Sequence, residues 1–401
     1  MTEVVIAGIG QTEVGEHWDV SLRELSLQAI EAAQQDAGGL QPQALFVGNM
    51  LAPTLSRQAH LGSLVADFAG LTGIEAMTIE AAGASGGAAL RAGYLAVASG
   101  EAEVVLVVGV EKFTDQVGAF VEEALASSID SDFESAQGLN PTGQAALMMQ
   151  RYLHEYRVPR QAFAGFPLTA HANGAANPMA MFRRAISAEA YHKAGPVCEP
   201  LNLFDIAPNA DGAAALILTH PAMLPPGFPK PLVRIAGSSL LTDRLALHDR
   251  PDPLSFNAAR LSVERACRQA RITPLQIDLF ELYDAYSIYA ALSLEAAGFA
   301  SRGEGWKLAQ DGSLRLTGSL PISTMGGLKA RGNPGGATGI YQVVEAVLQL
   351  RGEAGANQIT TARRALVQCL GGPASTVATH VIESFNYQDG QDIQDKKGDQ
   401  S

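Results

Sequence analysis

Cys369 stands in Val-Gln-Cys-Leu-Gly-Gly-Pro, at the end of an apolar run followed by two glycines. A cysteine so placed is ordinarily a buried structural residue. The same placement also sets a thiol beside backbone N–H groups able to stabilise an oxyanion. Gly83-Ala84-Ser85-Gly86-Gly87 fits the Gly-x-Ser-x-Gly nucleophile elbow, with an apolar run before it and a helical pattern after it. A hydrolase would need an acid and then a histidine downstream, which Asp284 and His380 nominally supply, but almost any chain of this length offers such a pair. Small residues here equally let a helix N-terminus approach another backbone. The N-terminal Gly-Ile-Gly-Gln-Thr-Glu-Val-Gly spaces its glycines too widely for a dinucleotide fingerprint. His171, Asn173 and Asn177-Pro178 read as helix-cap and turn residues.

The elements that must position these groups belong to a chain of 401 residues, 47% hydrophobic and 17% charged, with 41 glycines. That composition suits two to three domains or one large duplicated α/β unit. A net charge of −13 argues against a nucleic-acid or anionic-membrane partner. Three cysteines form neither a disulfide framework nor a Cys-x-x-Cys metal pair, so a reducing compartment and no metal site are expected. Residues 1–15 lack the features of a signal peptide, and no apolar stretch approaches the ~20 residues of a membrane span. A cytoplasmic location is expected.

Apolar runs at 4–10, 44–47, 77–80 and 104–110 alternate with helical patterns at 22–37, 59–71 and 88–99. This grammar predicts a parallel sheet covered on both faces. Residues 114–199 read as a helical excursion, 211–219 as a buried strand, and the proline-rich stretch 220–231 as a linker. After the linker the grammar repeats. Residues 83–100 resemble 335–352, and 211–219 resemble 375–383, implying two copies of one β/α unit about a pseudo-twofold axis. The expected organisation is an N-terminal half over 1–231 with an inserted loop domain at 116–199, a C-terminal half over 232–386, and a disordered tail at 387–401.

Residues 79–115, HANGAANP, PLNLFDIAPNADGAAALILT, ELYDAYSIYA, GGLKARGNPGGATG and VQCLGG together resemble the thiolase superfamily over residues 1 to about 386. The likeness is strongest to the archaeal and bacterial branch near the sterol-carrier-protein-type thiolases. It implies an α/β thiolase fold, with two duplicated halves in a five-layer αβαβα arrangement and an inserted helical loop domain. It also implies a homodimer or tetramer and action on acyl-CoA thioesters in lipid metabolism, with coenzyme A as substrate or product and no covalently bound cofactor. In working members the position of Gly83 holds the nucleophilic cysteine, and the histidine that activates it aligns with Asn333. Both are replaced here. Cys369 matches the second cysteine, the acid and base at the α-carbon. Tyr283, in Tyr-Asp-Ala-Tyr, takes the place of an asparagine or histidine that binds the thioester oxygen.

The N–H groups of Gly83 and Gly371 remain as oxyanion donors, since neither depends on a side chain. Arg183, Arg184 and Lys193 are the cations expected near the CoA phosphates, amid an otherwise acidic excursion. A small zinc-ribbon/OB-fold partner, frequent in this branch, would make up the deficit. Three activities follow from the resemblance: an acyltransferase of the acetyl-CoA C-acyltransferase type; a retro-aldol C–C lyase on a β-hydroxyacyl-CoA; or a non-catalytic CoA-ester-binding or scaffold subunit.

Overall fold

In the computed structural model, which describes residues 3–385, glycine-broken apolar runs form the inner strands and capped amphipathic stretches form the helices around them. The tail expected at 387–401 lies outside the described residues. The first half runs β1 (Val5–Gln11), α1 (Leu22–Asp36), β2 (Ala44–Gly48), α2 (Ala52–Leu55), α3 (Leu61–Phe68), β3 (Glu75–Ile79), α4 (Ser85–Ser99) and β4 (Val104–Glu111). Helix α1 starts on a reciprocal capping box. Ser21 Oγ accepts from the Glu24 N–H, and the Glu24 carboxylate accepts from the Ser21 N–H at 2.7 Å. The excursion is helical as expected, with α5 (Gly118–Ala126), α6 (Pro141–Tyr156), α7 (Gly165–Gly174) and α8 (Ala188–Lys193), closed by a small hairpin of β5 (Pro196–Cys198) and β6 (Leu201–Asn202). Strand β7 (Gly212–Thr219) completes the half.

The second half repeats the order with β8 (Val233–Thr242), α9 (Asn257–Ala270), β9 (Leu279–Glu281), α10 (Ser287–Ala296), α11 (Gly305–Gln310), α12 (Thr338–Arg351), β10 (Arg364–Gly371) and β11 (Thr376–Ser384). Ile322 bridges Phe280 in parallel at the place that β3 takes beside β2 in the first half.

The sheet is mixed rather than parallel. Its order is β3-β2-β4-β7-β1-β8-β11-β10-β9, and only β3, β2 and β4 in one half and β10 and β9 in the other run parallel to their neighbours. Strands β7 and β11 return antiparallel. Continuous apolar runs report burial on both faces, not direction, so the sequence reading went one step too far. The halves join where β1 and β8 pair over Val5–Arg234 and Ile6–Val233. Helices α1 and α3 cover the first half's sheet and α9 the second's, while α4 and α12 each touch strands of both halves, giving the αβαβα layering. Helix α12 is buried on nearly every side, its polar Gln342, Glu345 and Gln349 included, as befits a central helix. Glycines let α4 and α12 meet at their N-terminal ends: a Cβ on Gly86 would lie 2.8 Å from Gly336 O, and one on Gly339 would lie 2.5 Å from Gly87 N. No helix among the described residues is long and apolar enough to cross a membrane.

Candidate active site

Four of the five catalytic residues expected from the sequence meet around the start of α4. Gly83 lies in the tight turn between β3 and that helix. A Cβ built on it would overlap the Tyr283 hydroxyl, lying 2.6 Å from Leu370 O and 2.9 Å from Tyr283 Cζ. Tyr283 comes from the loop after β9 and shares the wall of one cavity with Asn333. Cys369 sits near the end of β10 and donates from Sγ to Gly83 O at 2.9 Å. Asn333 lies in the turn ahead of α12, its Oδ1 accepting from Thr338 Oγ1 at 3.1 Å. Gly83, Tyr283 and Asn333 line a cavity of about 80 Å³ with Met50, Phe113, Thr142, Tyr286 and Tyr289, and Cys369 lies behind Gly83.

The fifth residue, Gly371, does not line the cavity. It pairs with Thr376 across the β10–β11 hairpin, and Gly372, at φ +58°, lines the cavity instead. Arg183, Arg184 and Lys193 are also off the cavity and exposed. Arg183 is 3.2 Å from Glu13, and Lys193 is 2.6 Å from Glu189.

Both candidate proton carriers are held in their neutral forms. Burial pushes the Cys369 thiol up to about 12, against a smaller opposing pull from Arg331. Burial, reinforced by the neighbouring Cys369, drives the Tyr283 phenol well above its ordinary range, and the polar side chain of Asn333 only partly offsets this. Behind the site lies a group of buried charges. Arg331 and Lys329 occupy a π-helical turn, Gly327–Arg331, just before Asn333, and face Glu345 on α12 and Asp284 beside Tyr283. Burial raises the carboxyls of Glu281, Glu345 and Asp284 and lowers Lys329 to about 8. Asp284 also accepts from the Leu328 N–H at 2.7 Å, which fixes that turn.

The elbow reading of Ser85 finds no triad. Ser85 is buried, donating to Ala82 O at 2.6 Å and accepting from Ala81 N–H at 2.9 Å, which ties down the turn. His380 reaches Gly87 O at 3.2 Å, and burial depresses it to about 3. Asn173 and Asn177 donate to the backbone of Ile322, Ser323 and Met325, binding the excursion to the second half, while His171 packs on Phe182.

Sequence reasoning missed Tyr286 and Tyr289. They follow Tyr283 in two steps of three, Tyr286 as the N-cap of α10 and Tyr289 in its first turn, and they line the cavity, with Tyr286 Oη 3.0 Å from Thr142 Oγ1 of the excursion. Glu111 was also missed. No local motif marks it, because its partners lie far off in the chain.

The chain belongs to the thiolase family. The N-terminal thiolase domain matches residues 4–221, and the thiolase C-terminal domain-like family matches residues 239–384. It is 41% identical to an acetyl-CoA acetyltransferase of Methanothermobacter thermautotrophicus, across 95% of this chain and all (100%) of that one. It is 28% identical to the 17-hydroxy-3-oxo-4-pregnene-20-carboxyl-CoA lyase of Mycobacterium tuberculosis, across 87% of this chain and 92% of that one. Among solved structures, the Ltp2-ChsH2(DUF35) aldolase matches at TM-score 0.81 and 25% identity, covering 95% of this chain and 98% of that one.

Proposed function

We propose that this protein is a C–C lyase acting by retro-aldol cleavage on a β-hydroxyacyl-CoA thioester. One observation carries the reading: the Tyr283 hydroxyl occupies the space that any side chain at position 83 would need. An acyl-enzyme at Gly83 has no atom to form on. Tyr283 and Cys369 flank the same backbone unit, both protonated at rest. As the Cα–Cβ bond breaks, its electrons pass to the thioester as an enolate. The β-hydroxyl gives its proton to Tyr283, Tyr283 passes its own to Cys369, and the Cys369 proton ends on the α-carbon. Both groups finish as they began, and a carbonyl compound leaves. The Gly83 N–H and the Asn333 amide are the donors for the enolate oxygen. A lyase and an aldolase among the similar proteins carry this chemistry in their names, and the absence of a side chain at Gly83 weighs against the acyl transfer named for the more similar archaeal relative.

A small DUF35-type partner with a zinc ribbon and an OB-fold fits an active-site cavity whose lining carries no lysine or arginine. A homodimer fits the outer strand β3, whose far edge is unpaired among the described residues and whose Met77 is exposed. The test is incubation with β-hydroxyacyl-CoA esters and with acetoacetyl-CoA plus free CoA, with and without the partner. Release of a carbonyl product and a shortened acyl-CoA is expected. Thiolysis of acetoacetyl-CoA with an acylated Ser85 or Cys369 on mass spectrometry would instead establish acyl transfer.

A further inference from the structure

Strand β4 ends on a carboxylate that the relay does not use. Glu111 is fully buried, and its two oxygens accept four N–H groups from both halves of the molecule. Oε1 accepts from Asn49 Nδ2 at 2.9 Å and Leu51 N at 3.1 Å; Oε2 accepts from Met50 N at 2.8 Å and Gly336 N at 3.0 Å. Met50 is one wall of the cavity. Gly336 ends the turn that brings Asn333 and Gly335 to the opposite wall. That turn is drawn tight over the carboxylate: Gly335 has φ +42°, and a Cβ on it would lie 3.0 Å from Glu111 Cγ and 2.8 Å from Phe113 Cζ.

Burying a carboxylate without a cation is costly, and desolvation raises Glu111 to about 7 despite its four donors. A carboxamide cannot replace it. It would present an NH2 to two of the four donors, and only a carboxylate offers acceptors on both sides.

We infer that Glu111 is a positioning residue for the site, holding the Asn49–Leu51 loop of one half and the Asn333–Gly336 turn of the other at the separation that keeps Asn333 in the cavity wall it shares with Tyr283. The inference rests on the reading of this cavity as the reacting site, but its first test needs no substrate. In the full chain, Glu111→Gln is expected to lower hydrogen-exchange protection together in peptides covering 49–51 and 333–338, leaving β10 and β11 unchanged. Glu111→Asp, which keeps the charge but withdraws the oxygens by a methylene, is the second variant, and should loosen 333–338 more than 49–51. With β-hydroxybutyryl-CoA as probe, kcat is expected to fall ~10- to 100-fold with KM little changed, as misplacement of a reacting group by about an ångström produces. Adding Asn333→Ala to Glu111→Gln should cost little more, since both act through one group. Unchanged protection at 333–338 in both variants would overturn the inference, as would a loss of stability spread over the whole core with kcat intact. Coupled exchange in a protein that cleaves no β-hydroxyacyl-CoA would uphold the clamp and sink the lyase reading instead.

Discussion

The turns that feed the two central helices are copies of one design put to different uses. Residues 81–87 lead into α4, and residues 332–339 lead into α12. Both are built of glycine and alanine because the helix ends pass within backbone contact of each other. The first turn presents no side-chain chemistry to the cavity. Gly83 offers only its backbone, and Ser85 spends its hydroxyl on Ala81 and Ala82. The second supplies Asn333 and Thr338, and its half contributes Tyr283 and Cys369. In a duplicated fold, one half can serve as scaffold where a side chain from the other fills the space beside its turn.

The sharpest way to break that comparison is to remove chemistry from the second half. Tyr283→Phe should lower turnover of a β-hydroxyacyl-CoA by ~10²- to 10⁴-fold with little loss of stability, the usual range for a general acid/base. Unaltered turnover would remove Tyr283 from the mechanism. Next in size is the steric exchange at position 83. Gly83→Ala should cost about 1–3 kcal/mol by overpacking, and about 1 kcal/mol or more should return in a Tyr283→Ala background. A double-mutant cycle by denaturant titration reads the coupling, and strict additivity would show that the tyrosine does not occupy that space.

His380, behind Gly87, gives a pH signature for the packing under the first turn. Its folded-state value of about 3 lies below the ordinary 6.5, so between those values the unfolded chain binds the extra proton. Its contribution to stability is therefore complete above about pH 6.5 and is lost as pH falls towards 3. Compared with His380→Gln, the wild type should lose about 1.4 kcal/mol per pH unit between pH 6 and 4, with a flat difference above pH 7. A difference independent of pH would mean the imidazole is not held neutral. The smallest effect expected is that of Ser85→Ala: about 1 kcal/mol of stability for two lost hydrogen bonds, with turnover intact. Abolished turnover at unchanged stability would return the nucleophile to the first half.

The sequence by itself determined the duplication, the capped helices, the excursion and the family, because periodicity, capping and turn chemistry are local and repeat in register. It also pointed to Gly83, Tyr283, Asn333 and Cys369 as one set, through the motifs that carry them. Strand direction was not legible, since β7 and β11 bury both faces as fully as their parallel neighbours do. Nor was the displacement of Gly371 by Gly372, which depends on where the β10–β11 hairpin closes. Only the tertiary structure placed the Tyr283 hydroxyl over Gly83, two hundred positions away in the chain, and closed Glu111 on Gly336 across the two halves. Excluded volume and buried hydrogen bonds act between atoms close in space, so neither leaves a pattern that a reading along the chain can detect.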